Sequence, residues 1–409
     1  GFGARLIGGA EDAVLPIGMH DYMEALGCCT LVDKTMFIAD MLDCDASVMV
    51  CCRPEGFGKS MNLSMLRAFL ERPAVGRASQ GLFADAQIWD ADGGRYRNEY
   101  ACYPVISLDF SGAARRGAAV ADVVRDTLSG ECARLLALLE APDLTRDKVR
   151  HIERVARGVA SEAEVDSVLG VLIELLEMAC DEQVVLLVDG YDAAWLGRAS
   201  ARGASGADSA GLLERVLFDA LAAAGNSLRL TCLMGERPGP AVAALSSRSC
   251  SYCLSTPLST WCDRWFGFSD AEVEALLNHA GREEYLDDAR EWLEGYRFGR
   301  AYCSSPARVI GFLDRGCTAP VRTDLYGYAD CLSRVVAGWN LDRLSVLFDL
   351  LEAHGCVEVP VCLGAAGSEA SSDDGLWTAL YLSGFLTTDM TEEPEHGNRL
   401  RALRLQIGR

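Results

Sequence analysis

Short apolar runs, each followed by a turn and a stretch of helical periodicity, organise the chain from about residue 15 to residue 264. Ser47-Val48-Met49-Val50-Cys51-Cys52 is such a run. A turn containing Pro and Gly follows it, and then Leu63, Leu66, Phe69 and Leu70 recur at helical spacing. This predicts a strand, a loop and a helix. A second strand is expected at Tyr103-Pro104-Val105-Ile106-Ser107-Leu108-Asp109-Phe110, and helical patterns occupy residues 120–139 and 161–180. The second of these opens on Ser161-Glu162-Ala163-Glu164, the spelling of a capping box. Val184-Val185-Leu186-Leu187-Val188-Asp189 is continuously apolar and closed by an acid, as a parallel strand buried on both faces requires. A helix over residues 212–224 leads into Leu228-Arg229-Leu230-Thr231-Cys232-Leu233-Met234, a further strand. Strands alternating with helices predict an α/β fold, a parallel sheet flanked by helices.

Outside this region the pattern changes. Residues 1–14 are rich in Gly and Ala without a period and read as a mobile opening, while residues 197–211 and 364–375 read as flexible loops. Beyond residue 265 the strand-like runs thin out. Helical patterns at 270–280 and 341–354 suggest a smaller, mainly helical domain over residues 265–390, with Trp292, Tyr296 and Phe298 in its core. Leu405-Gln406-Ile407-Gly408-Arg409 resembles a strand just beginning. Together with the start at Gly1, it suggests a piece of a longer protein in which residues 391–409 open another domain.

Charge and cysteine content narrow the functional classes. With 38 Lys+Arg against 59 Asp+Glu the net charge is −21, so sequence-independent gripping of nucleic acid would work against the protein's own field. No apolar stretch is long enough to span a bilayer and no secretory leader is evident, which makes a membrane role unexpected and the cytoplasm the expected location. Seventeen cysteines, scattered and odd in number, suit reduced and mostly buried thiols better than a disulfide framework. The single Cys250-Ser251-Tyr252-Cys253 has no second pair to complete a zinc site.

The candidate chemistry lies at Arg53-Pro54-Glu55-Gly56-Phe57-Gly58-Lys59-Ser60, between the first strand and its helix. There backbone amides and a helix N-terminus can cradle a polyphosphate. Lys59 would reach the β- and γ-phosphates, Ser60 would ligate Mg2+, and Gly58 would admit close backbone approach. The full phosphate-loop signature wants Gly where Arg53 stands. Asp189, at the end of its strand, fits the acid that holds Mg2+ opposite such a loop. The next position, where a water-activating Glu is usual, is Gly190, and Asp192 follows two residues on.

These residues resemble the AAA-ATPase-like family of bacterial P-loop proteins, many of which carry a C-terminal nuclease domain of the PD-(D/E)XK type. The likeness rests on Leu15-Pro16-Ile17-Gly18, Val32-Asp33-Lys34-Thr35, Phe57-Gly58-Lys59-Ser60, Leu187-Val188-Asp189 with Tyr191-Asp192, and Gly295-Tyr296-Arg297-Phe298-Gly299. It implies a P-loop NTPase core over residues 15–264 that binds ATP and Mg2+. The nucleotide ligands it implies are Arg53, Pro54, Gly56, Phe57, Gly58, Lys59 and Ser60, joined by Asp33 and Lys34 from the segment before the first strand. An Arg-Pro at the head of the loop is usual in that family. Three departures fall on the chemistry: Glu55-Gly56 replaces two basic residues, Gly190 replaces a Glu, and Met234-Gly235-Glu236-Arg237-Pro238-Gly239-Pro240 replaces a Thr-Gly and an Arg-bearing helix. Arg237 is left as the phosphate-sensing charge, with prolines around it that exclude an uninterrupted helix. The resemblance thus implies a hydrolase fold with Asp189, Asp192 and Arg237 as catalytic candidates. Hydrolysis would be weak, or else lost in a pseudo-ATPase scaffold that engages a protein partner through the helical domain.

Overall fold

A computed structural model of the chain describes residues 4–8, 15–73, 81–114, 119–196, 211–293, 295–318 and 373–388, the backbone of strands Cys356–Pro360 and Arg399–Leu403, and a few positions between 336 and 349. Five strands form the central sheet: β1 (Val48–Cys52), β2 (Val105–Asp109), β3 (Val184–Asp189), β4 (Leu228–Gly235) and β5 (Tyr252–Ser255). Their order is β2-β3-β4-β1-β5 and every pairing is parallel. β1 and β3 are buried at each position, which explains their unbroken apolar spelling: both faces are covered. Val50, Leu108, Leu186 and Val188 pack with residues of helices Val120–Leu135 and Glu162–Cys180 on one side. Met49, Cys51, Leu187 and Met234 pack on the other, with Leu63 and Leu66 of helix Lys59–Leu70 and Phe37 of helix Met36–Leu42.

The capping box at Ser161 and Glu164 forms as spelled and starts the helix at Glu162. The pattern over residues 120–139 resolves into an α-helix to Leu135 and a 3-10 turn at Leu136–Leu139. Helix Arg146–Ala156 was not predicted. It is mostly charged and buries Ile152 and Val155.

The expected mobile opening is corrected in part, because Leu6–Ile7 pairs antiparallel with Leu31–Val32. Of the two expected loops, residues 197–210 lie outside the described residues, and so do 364–372. Residues 373–375 of the second begin helix Asp373–Leu382. The helical pattern at 341–354 and the terminal run 405–409 also fall almost wholly outside them.

After β5 the chain is helical, with helices Asp270–His279 and Pro306–Asp314, but it also contains strands. Tyr296–Phe298 and Ala301–Cys303 make a hairpin, and Cys356–Pro360, Arg399–Leu403 and Thr387–Thr388 an antiparallel sheet. Trp292 packs edge-on against Phe312 in the core of this region. Tyr296 and Phe298 instead enter the core of the nucleotide-loop side, together with Phe266, Phe57 and Met49. Packing therefore runs unbroken across residue 264.

The described cysteines are free thiols, with Cys253 on edge strand β5. Among the described residues no helix is long and apolar enough to cross a membrane.

Candidate phosphate-binding site

The loop between β1 and helix Lys59–Leu70 turns on two glycines in the left-handed region, Gly56 at φ 82° and Gly58 at φ 77°. Open space surrounds the place of a Cβ on Gly58, so its backbone angle, not crowding, calls for glycine. Gly58 caps the helix, whose first-turn amides lack helical acceptors and carry the positive end of its dipole.

Three candidates come together here. Ser60 Oγ donates to Asp189 Oδ2 at 2.5 Å, joining the loop to the end of β3. Lys59 Nζ donates to the carbonyls of Arg53 and Pro54 at 2.8 and 2.9 Å. Burial pushes the Asp189 carboxyl above its ordinary pKa and Asp109 adds to that, while the Ser60 hydrogen bond and the Lys59 charge oppose it. Asp109 is the in-register neighbour of Asp189 on β2.

The exit of β4 lies against both parts of this group. Arg53 N donates to Gly235 O at 3.0 Å, and Gly190 N to Met234 O at 2.9 Å. Asp192, 1 % exposed, accepts through Oδ2 from the amides of Glu236 at 2.9 Å and Arg237 at 2.7 Å. Its Oδ1 has no partner among the described residues. Burial foremost, then the charge of Glu236, raises the Asp192 carboxyl to about 6. Arg237 stands immediately before helix Pro238–Ser247, with Pro238 at the first helical position. The expectation that prolines interrupt this helix is corrected: an N-terminal Pro loses no hydrogen bond, so Pro238 starts it.

Gly190 shows why the usual glutamate is missing. Its φ is 66°, and a Cβ would lie 2.6 Å from Ser111 N and 2.7 Å from Ser111 Cα. Backbone occupies the space that any side chain would need.

Other sequence candidates hold the loop from behind and do not line it. The Arg53 side chain is fully buried and donates to the carbonyls of Cys52, Ser255 and Cys262 and to Ser255 Oγ. Its guanidinium lies over the rings of Phe266 and Phe298, 4.6 and 5.1 Å from their centroids. Phe57 packs edge-on against Tyr296 and Phe298, each at 4.8 Å. Gly56 O accepts from Ala307 N at 3.2 Å and from Ser305 Oγ at 3.1 Å. Pro54 is buried against Gly384.

Asp33 and Lys34 are engaged elsewhere. Asp33 accepts from the amide and hydroxyl of Thr35 and from Gln87 N. Lys34 Nζ pairs with Glu272 at 2.7 Å and donates to Arg264 O at 3.0 Å. The side chains of Arg53, Asp33 and Lys34, expected among the nucleotide ligands, are thus held by scaffold contacts in this structure.

Sequence reading passed over Asp109, Ser111, Glu236, Ser305 and Ala307. Only Asp109 carried a signal, since it closes an apolar run just as Asp189 does. The others acquire meaning from neighbours far along the chain.

A family model described as Predicted AAA-ATPase matches residues 16–237, more than half of the chain, and spans the loop, Asp189 and Arg237. No curated protein matches the chain.

Proposed function

The chain belongs to the AAA-ATPase-like family, and from that premise we propose that it binds ATP with Mg2+ at the Gly58-Lys59-Ser60 loop and hydrolyses it slowly. The family and the parallel α/β fold support nucleotide binding in general. The observation that carries the finer reading is the meeting of Lys59, Ser60 and Asp189 at the C-terminal edge of the sheet, where ligands of open α/β folds bind. On nucleotide binding, Lys59 exchanges two loop carbonyls for phosphate oxygens, and the amides of the first helical turn receive the rest of the charge.

The adjoining hydroxyl of Ser60 and carboxylate of Asp189 are hard oxygen donors that suit Mg2+. When bound, the ion would neutralise phosphate charge and favour the ionised form of Asp189, which burial now disfavours. Slow turnover follows from Gly190, which leaves the usual water-activating position without a carboxylate.

The same glycine favours a second reading, a pseudo-ATPase that holds nucleotide, or nothing, and serves as a scaffold for a protein partner. In either case the clasp of Ser305 and Ala307 on Gly56, with Phe57 seated on Tyr296 and Phe298, gives the loop a mechanical link to the C-terminal region. That region is where we place a protein partner. We place the protein in the cytoplasm without a membrane role, and the net charge of −21 speaks against nucleic acid as a partner of this chain alone.

Titration calorimetry of the whole chain with Mg-ATP, beside Lys59→Ala and a phosphate-release assay, tests the proposal. Saturable binding that Lys59→Ala removes, with slow phosphate release, is expected. Binding without release would establish a nucleotide-holding scaffold, and no binding would overturn the ATPase reading and leave a scaffold without nucleotide.

A further inference from the structure

With no side chain at position 190, a carboxylate that takes the proton of the attacking water has to come from elsewhere in the site. Glu236 is placed for it. β4 runs between β1, which feeds the phosphate loop, and β3, which ends at Asp189, so the residue leaving β4 emerges between the two halves of the site. Hydrogen bonds fix that emergence on both sides. Arg53 N, at the head of the loop, donates to Gly235 O at 3.0 Å, and Glu236 N donates to Asp192 Oδ2 at 2.9 Å. Lys59 is tied to the same place through its bond to Arg53 O.

The side chain of Glu236 is unusual in its company. The residue is 9 % exposed, and no hydrogen bond or ion pair to the described residues holds its carboxylate. Charges of both signs lie close by: Asp192, whose carboxyl it helps to raise, and Lys59, whose charge opposes that rise. The scaffold therefore leaves this carboxylate unengaged at the exit of β4.

Resting on the nucleotide-binding reading, we propose that Glu236 replaces the carboxylate excluded from position 190 and activates the water that attacks bound ATP. In this step the water oxygen bonds to the γ-phosphorus while one of its protons passes to the Glu236 carboxylate. The bond from the γ-phosphorus to the bridging oxygen breaks, and its electron pair stays on the β-phosphate of the ADP that leaves. The proton held by Glu236 then returns to the phosphate product or to solvent. Asp192 is a positioning residue, because it holds the peptide amide of Glu236. Asp109 is the rival carboxylate: it is exposed at the end of β2, in register with Asp189, with its Oδ1 accepting from Ser111 N at 2.8 Å.

The test compares the full chain with Glu236→Gln, Glu236→Asp and Asp109→Asn. Mg-ATP binding is read by calorimetry and phosphate release is followed across pH. Expected are slow release by the parent chain and unchanged affinity in Glu236→Gln. Release in that variant should fall by roughly a hundredfold or more, the usual contribution of a general base, with partial recovery in Glu236→Asp. Retained binding shows that the variant is folded. Unchanged release in Glu236→Gln, loss of release in Asp109→Asn instead, or a parent chain that binds ATP and releases no phosphate would each overturn the assignment of Glu236 while leaving nucleotide binding intact. A parent chain that binds no ATP fails at the earlier step and takes this inference with it.

Discussion

At Gly190 the backbone turns through φ 66° with Ser111 packed where a side chain would start. Both conditions must be relaxed for any other residue to stand there. Gly190→Ala is expected to lower stability by about 1–3 kcal/mol, from left-handed strain with the contact added, and chemical denaturation will show it. Restoring the glutamate by substitution should therefore disturb the turn and fail to raise phosphate release. Asp192 offers a titration at the same scale. Its carboxyl is raised from 3.8 to about 6 by burial and Glu236, so the native state takes up a proton between those values that the unfolded chain does not. The contribution of Asp192 to stability is accordingly largest below that window. It falls as pH rises through it and is constant above it. Denaturation midpoints followed across that window should decline less steeply with rising pH in Asp192→Asn than in the parent.

The elements around the loop divide into those that face the ligand and those that hold the loop in shape. The segment with Asp33 and Lys34 belongs to the second group: Asp33 caps its own turn and fastens Gln87, and Lys34 reaches Glu272 in helix Asp270–His279. The Lys34 and Glu272 side chains are only 10 % and 14 % exposed, so removing one strands the other in a poorly hydrated site. Glu272→Ala is expected to cost roughly 3–5 kcal/mol, the range for breaking a buried pair, with the helix's capping box lost as well. Affinity for Mg-ATP should be unchanged at temperatures where the variant stays folded. A large loss of affinity with intact stability would return Lys34 to the ligand set.

Across the whole molecule, the residues before and after 264 share one core. Phe57, Met49 and Leu66 pack with Phe266, Tyr296, Phe298 and Cys303, and Val32 packs with the cluster of Val273 and Phe312. Arg53 finds its carbonyl partners partly at Ser255 and Cys262, just before that point. A chain cut after residue 264 would lose Phe266, Tyr296 and Phe298 and leave the ring of Phe57 and the guanidinium of Arg53 uncovered. Such a truncation is expected to be insoluble or to lose cooperative unfolding. A fragment over residues 15–264 with a sharp thermal transition and full nucleotide affinity would show the two regions to be independent.

What the sequence determined by itself was whatever local pattern encodes. The apolar runs at β1 and β3 could be read because two-sided burial leaves almost no polar positions in a strand. The helix after the loop, the capping box at Ser161 and the Gly58-Lys59-Ser60 turn could be read because helical spacing, capping and glycine angles are short-range requirements. The tertiary structure alone decided which side chains meet. Arg53 lies beside the loop in sequence, yet it turns into the core because Phe266, Phe298 and the carbonyl of Ser255 surround it there. Gly190 excludes a side chain because Ser111 arrives from another strand's end, and Glu236 joins the site because β4 threads between β1 and β3. Hydrophobic periodicity records that a face is covered. It does not record by what, and the partner of a polar group is set by strand order and packing.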